Sequence, residues 1–351
     1  ATSPSAAAAP YVLTVSEDGE AVVGTATRDA AFLFNNGEFS CIHACPDFGA
    51  IYPGETRTAI TRLYFLQGGV EAFQKRYHQD FRSKVHIRPS PRSPVPPQRH
   101  AVEMVPPWDT EGHLTLRFPE TLHSNLGLLF IDHYRADMLP VVDLQKLPDW
   151  QVDPDTGAIS YQCQLPNKVE FSGRITPGTD ELDLEFTVKN GTDAELSRLG
   201  TQFCLVQSPC PTFSTPELTN TYILHDGKWL ALSDSTFKKS IPDKPPWIIG
   251  SVKDRPGPKP GASHPDAWYV CHEPADAPLI ATVSRDGAHV LAIAWSTGRS
   301  VMSNGWIPCL HADPVLPNCT PVESVSVKGK IYLLTGGLDD LRARYEQDFA
   351  P

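Results

Sequence analysis

The chain lacks most of the features that mark the best-known functional classes. No run of about 18 apolar residues occurs, which excludes a membrane-crossing helix. No basic run occurs and the formal net charge is −11, so neither nucleic acid nor a membrane surface is expected as a partner. Cys-x-x-Cys is absent, and eight cysteines in 351 residues are too sparse for a disulfide scaffold. A phosphate-binding loop, a dinucleotide fingerprint, Gly-x-Ser-x-Gly, His-Glu-x-x-His and an EF-hand loop are all missing. No pattern names a cofactor, and none has the ligand spacing of a metal site, so no metal ligand is assigned.

Proline, by contrast, is abundant: 34 of 351 residues, against a usual level of about 5%. Interior prolines break helices, so this density suits short strands joined by rigid loops. Hydrophobic residues at 40% and aromatics at 9% are sufficient for a packed core. Residues 1–9 are small and polar and are expected to be a flexible tail. Two sequons, Asn190-Gly191-Thr192 and Asn318-Cys319-Thr320, lead to the expectation of a secreted or cell-surface protein.

The strongest signal is internal. Residues 10–81 align with 278–349 at a constant offset of 268 without a gap, and about 25 of 72 positions are identical. Such similarity has to be recognised before any fold is assigned. Each copy reads as one unit. Asp18-Gly19 and Asp286-Gly287 mark hairpin turns, expected as two-residue turns with both φ positive. A second strand, an Asn-Gly loop and a Cys-x-His-Ala-x-Pro segment follow. A further strand and a Gly-Gly break then lead into a short amphipathic helix. Its apolar positions are Val70, Phe73, Tyr77 and Phe81 in one copy and Leu338, Leu341, Tyr345 and Phe349 in the other. Between the copies, alternation at Leu182–Lys189 and candidate strands at 113–118, 127–131, 158–165 and 168–175 extend the β pattern.

The expected fold is all-β: a large antiparallel β-sandwich, supersandwich-like, with a few short helices and a duplicated strand–loop–strand–helix unit. The expected organisation is a tail (1–9), a partial repeat unit (10–81) packing on the main domain, a proline-rich linker (82–107) and a main β-sandwich domain (108–351) containing the second copy (278–349). The first copy either packs in cis or adds to a neighbouring molecule, which would make a homo-oligomer.

Residues 173–190, a turn then an alternating strand ending in Asn-Gly, and the closing block 304–334, with its Cys-Leu-His segment, Pro321 and Glu323, resemble galactose mutarotase-like β-supersandwich proteins. The resemblance covers about 108–349 and lies in the style of strands and turns. It implies carbohydrate work, as in aldose epimerases, polysaccharide lyases and non-catalytic sugar-binding domains, and leaves the reaction open.

Candidate catalytic residues follow from chemistry at neutral pH. His43 and His311 occupy equivalent Cys-x-His-Ala-x-Pro segments and can serve as acid, base or ligand; the alternative is a structural role in a tight loop. His133, Tyr134 and Arg135 supply a base, an acid and a cation, although strand alternation allows only part of the set to converge. Trp229, Trp268 and Trp306, with His272, are candidate sugar-stacking and binding residues. Two readings stand: a carbohydrate enzyme, lyase or epimerase, using His/Tyr acid–base chemistry, or a non-catalytic carbohydrate-binding or self-assembling β-sandwich.

Overall fold

The computed structural model describes residues 9–28, 30–48, 51, 53, 56, 58–81, 84–90, 100–106, 108, 112–132, 148–236, 245–255 and 268–349. Two compact units divide at 84/85.

In the first unit, β1 (Tyr11–Val15), β2 (Ala21–Thr27) and β5 (Thr61–Gln67) form a three-stranded antiparallel sheet in the order β1-β2-β5. β3 (Ala30–Asn36) and β4 (Cys41–Pro46) form a hairpin. Helix α1 (Val70–Phe81) turns Phe73, Tyr77 and Phe81 onto one sheet face, where they bury Val22, Ala26 and Tyr64. The helix is short, and packing of this apolar stripe is what such helices depend on. On the alternate positions of the sheet, Val23, Leu63 and Phe65 are exposed.

The second unit is a two-layer sandwich. One sheet runs β10-β11-β12-β13-β23-β20-β19-β15-β16. Its strands are β10 (Gln151–Val152), β11 (Ile159–Gln164), β12 (Val169–Pro177), β13 (Glu181–Asn190), β15 (Thr221–His225), β16 (Lys228–Ala231), β19 (Leu279–Val283), β20 (His289–Trp295) and β23 (Ser324–Thr335). The other runs β18-β17-β21-β22-β14-β8-β7-β6, with β9 also paired to β8. It comprises β6 (His86–Pro89), β7 (Ala101–Val105), β8 (Leu114–Ser124), β9 (Gly127–Ile131), β14 (Gly200–Val206), β17 (Trp247–Ser251), β18 (Trp268–Val270), β21 (Ser300–Asn304) and β22 (Cys309–Asp313). Only β17 and β18 pair in parallel among these strands. The core includes Phe118, Phe171, Phe186, Phe203 and Trp295. In β13, Leu182, Leu184, Phe186 and Val188 are buried at every second position, the period-2 pattern of a half-buried strand. Helix α2 (Leu338–Phe349) covers β20 and β23 through Leu341, Tyr345 and Phe349. The all-β sandwich with two short helices is therefore present.

The registers of the two similar segments coincide at the offset of 268. Tyr11 faces Ala26 as Leu279 faces Ala294. Ala21 faces Gln67 as His289 faces Thr335. Phe32 faces Cys45 as Ser300 faces Asp313. The positions matching exposed Val23, Leu63 and Phe65 are Leu291, Ile331 and Leu333, all buried in the core of the second unit.

Two expectations need correction. The stretch 82–107 is not simply a linker: β6 and β7 lie within it and belong to the second unit's sheet. Val85, Ile87, Val102 and Met104 enter the core. β6 is the terminal strand, where Pro89 is tolerated because an edge needs no donor on its outer side. The proline-rich run 91–99 lies outside the described residues. The Asp-Gly turns also differ. Asp226 and Gly227 both have positive φ (46° and 73°), as a two-residue turn requires. At 18–19 and 286–287 only the glycine does. There the aspartate is anchored instead by its serine: Ser16 Oγ donates to Asp18 Oδ1 at 2.5 Å, and Ser284 Oγ to Asp286 Oδ1 at 2.5 Å.

Candidate functional site

A buried polar cluster sits on β8, β14 and β22, within the second sheet. Along β22, Leu310 and Ala312 face the core, so Cys309, His311 and Asp313 share the other face. Leu205 faces Leu310 and Val206 faces Cys309 across the ladder. This register sets Cys204 opposite His311.

β8 contributes through an irregularity. Arg117 faces Cys204 and Thr121 faces Gln202, so three β8 residues oppose one on β14. Residues three apart point to opposite faces of a regular strand. Here the bulge lets Arg117 reach Glu120, Nη1 to Oε1 at 2.6 Å, and Pro119 sits within it. Bulges re-aim side chains in this way. Asp132, completely buried, follows β9; its amide donates to the Glu120 carbonyl at 3.0 Å, and its Oδ1 lies 4.0 Å from Arg117.

His311 is 3% exposed. Its Nδ1 lies 3.7 Å from Glu120 Oε2 and 3.8 Å from Asp313 Oδ1, and it makes no hydrogen bond. Burial opposes charging of this ring, but the neighbouring Cys204, Asp313 and Glu120 outweigh it and hold its pKa well above the ordinary value. Burial likewise disfavours ionised Asp313, yet His311, Arg299 and the Ser300 hydroxyl (2.8 Å) keep its pKa below the usual carboxylate value. The Cys204 thiol is pushed up by its contact with Cys309 and by burial. Ligand atoms of Cys204, Cys309 and His311 all lie within 4.8 Å of one another, a donor set able to hold a soft divalent metal. At this burial the cluster cannot meet a substrate without rearrangement.

A second feature is open to solvent: a cleft of about 600 Å³ lined by Trp108, Gly112, Pro209, Pro211, Thr212, Asp286 and His289. The Trp108 and His289 rings are parallel, 4.2 Å apart at 2°. Asp286, held by Ser284 and the Ala288 amide, is kept ionised below its ordinary pKa. The buried indole N–H of Trp108 makes no hydrogen bond.

The structure does not bring the sequence candidates together. His311 is in the buried cluster. His43 belongs to the first unit, where Nε2 is 3.1 Å from Cys41 Sγ and the ring stacks on Phe34 at 4.0 Å. His133, Tyr134 and Arg135 lie outside the described residues, as does the side chain of Trp268. Trp229 is half-buried against the cluster around Tyr332, a packing position. Trp306 is exposed, with its indole N–H donating to the Pro245 carbonyl. His272 is exposed, and its backbone amide donates to Thr236. Neither borders the cleft. Of the two sequons, Asn190 is fully buried and donates to the carbonyls of Ala194 and Cys319, so the folded chain cannot be modified there; Asn318 is exposed.

Sequence reasoning missed Glu120 and Cys204 as neighbours of His311, Arg117 and Asp132 beyond Glu120, and Trp108, Asp286 and His289 as neighbours of one another. The repeated Cys-x-His segment was the one signal pointing towards the buried cluster. Nothing local gave the β14–β22 register or the β8 bulge.

No family model and no curated protein matches the chain. Among solved structures, it is similar to a galactose mutarotase related enzyme from Lactobacillus acidophilus (TM-score 0.40, 11% identity, 73% of this chain and 96% of that one). It is also similar to a galactose mutarotase-like protein from Lactobacillus casei (TM-score 0.35, 13% identity, 63% and 85%). A third similar structure is a putative aldose 1-epimerase from Escherichia coli K12 (TM-score 0.32, 11% identity, 54% and 69%).

Proposed function

We propose that the chain is a carbohydrate-binding protein that receives a sugar in the cleft of Trp108, Thr212, Asp286 and His289. The carrying observation is the convergence of an indole, an imidazole and an ionised carboxylate in one open cleft of about 600 Å³, a size suited to a small ligand. Aromatic rings pack against the apolar face of a sugar, and carboxylate and imidazole groups bond its hydroxyls. Titration with neutral and acidic mono- and oligosaccharides by calorimetry or NMR tests this. Saturable binding lost in Trp108→Ala supports it; a flat response over the panel, or binding unchanged in Trp108→Ala, refutes it.

A catalytic reading, epimerase or lyase, draws on His289 and Asp286 sharing this cleft, where the imidazole would exchange protons with the sugar. Anomer interconversion by NMR and unsaturated uronate absorbance are its assays, with loss in His289→Ala expected. Export to the cell surface belongs to the same proposal and rests on Asn318, the exposed sequon; an unglycosylated Asn318 on the chain from its native host would remove that support.

A further inference from the structure

The buried cluster has a composition that sugar binding does not use. Cys204 and His311 stand opposite one another on β14 and β22, and Cys309 shares the His311 face two residues away. Their donor atoms lie within 4.8 Å of one another, and all three side chains are more than nine-tenths buried. His311 Nδ1 makes no hydrogen bond, and Glu120 Oε2 lies 3.7 Å from it. A buried imidazole nitrogen that faces carboxylates without a hydrogen bond is costly. Two sulfurs and one imidazole around a common centre, with a carboxylate beside the imidazole, resolve that cost when a cation occupies it.

We propose that Cys204, Cys309 and His311, with Glu120 as fourth ligand, form a closed tetrahedral zinc site that ties β14 to β22. Sulfur donors rule against calcium or magnesium, which take oxygen ligands. Two sulfurs with nitrogen and oxygen in a tetrahedron match zinc. With Zn–S near 2.3 Å and Zn–N near 2.0 Å, tetrahedral ligands stand about 3.3–3.8 Å apart, so the donors of Cys204, Cys309 and His311 close by roughly 1 Å, within reach of side-chain rotation. On binding, two thiol protons and the imidazolium proton leave to solvent and one Zn²⁺ enters; no electron is transferred. Arg117, 2.6 Å from Glu120, offsets the added negative charge. The first unit carries the same Cys-x-His pair, but there Cys41 and His43 contact each other, and no third ligand joins them among the described residues. That pair is an internal control.

The test is zinc stoichiometry on the full chain purified under reducing conditions with zinc, then dialysed, with Co²⁺ substitution as an independent readout. One zinc per chain is expected, retained in Cys41→Ser. Cys204→Ser and Cys309→Ser should weaken zinc by roughly 100-fold or more, with circular dichroism confirming their fold. The cobalt protein should show the thiolate charge-transfer and intense visible bands of a tetrahedral site. Because the wild-type cobalt spectrum needs no variant, misfolding of the serine variants leaves a decisive readout. Three outcomes overturn the proposal: a zinc-free wild-type chain, zinc retained when both Cys204 and Cys309 are serine, or a Cys204–Cys309 disulfide detected by mass under the same conditions.

Discussion

Arg117→Met isolates the energetics of the buried cluster. The guanidinium lies 2.6 Å from Glu120 and 4.0 Å from Asp132, with side-chain exposures of 12%, 7% and 0%. Methionine preserves most of the volume and removes the charge, leaving two carboxylates sealed from water. Breaking a buried pair in this way costs ~3–5 kcal/mol. His311, 3.7 Å from the other Glu120 oxygen, compensates in part and favours the lower end. At roughly 2–4 °C per kcal/mol for a domain of this size, the melting temperature should fall by about 6–20 °C. Urea unfolding and thermal melts of chelator-treated protein measure it, the midpoint moving while the slope stays constant. Arg117→Lys should be intermediate, keeping the charge without the planar fork. In the Arg117→Met/Glu120→Gln pair the losses should be less than additive, because the second change removes a charge that the first orphaned. A loss below about 1 kcal/mol, the value of a solvent-exposed pair, would refute the burial argument.

Other consequences are separately measurable. Burial, reinforced by the Arg299 charge, holds His123 down to about 4 from 6.5. The unfolded chain takes up this proton below pH 6.5 and the folded chain only near 4, so stability falls as pH drops through that window, by up to roughly 3 kcal/mol. His123→Gln should flatten this part of a stability–pH profile; an unchanged slope counts against it. A methyl at Gly173 would stand 2.4 Å from the Phe118 ring and 2.5 Å from Tyr161, so Gly173→Ala should cost ~1–3 kcal/mol by overpacking. Gly287→Ala meets nothing within 4 Å but keeps φ at +74°, so its cost should be the backbone strain alone, ~1–2 kcal/mol. Equal repair of both variants by small neighbouring substitutions would contradict the distinction. Self-association through the first unit is expected at the sheet face carrying Val23, Leu63 and Phe65; light scattering should show Phe65→Lys reducing it, and a monomer at all concentrations would exclude it.

Local patterns made much of the fold legible. Alternation from Leu182 to Lys189 marked β13 to within one residue at each end, because that strand buries one face. The helical stripe from Phe73 to Phe81 marked α1 for the same reason. Proline misled at 82–107: prolines in the intervening run concealed two short strands, of four and five residues, whose buried positions include Ile87, Val102 and Met104. The site was less legible. His311 stood out through its repeated segment, but its neighbours arrive by long-range pairing. Cys204 lies over a hundred residues earlier on β14, and its register is set by the whole sheet. The Trp108–His289 stack likewise joins residues far apart in the chain.

The bulge in β8 has a consequence for how this molecule tolerates change. Arg117 and Glu120 meet because extra residues stand between them relative to β14. Their contact is written in the count of residues as much as in their identities. Deleting Pro119 would leave both charges in the sequence and one of the two extra residues in place, yet it would change which side of the sheet the strand beyond it presents. Substitution and deletion are therefore unequal here: the segment can absorb a changed side chain more readily than a changed length. The signature to seek in related chains is an Arg-x-x-Glu spacing that no regular strand would select.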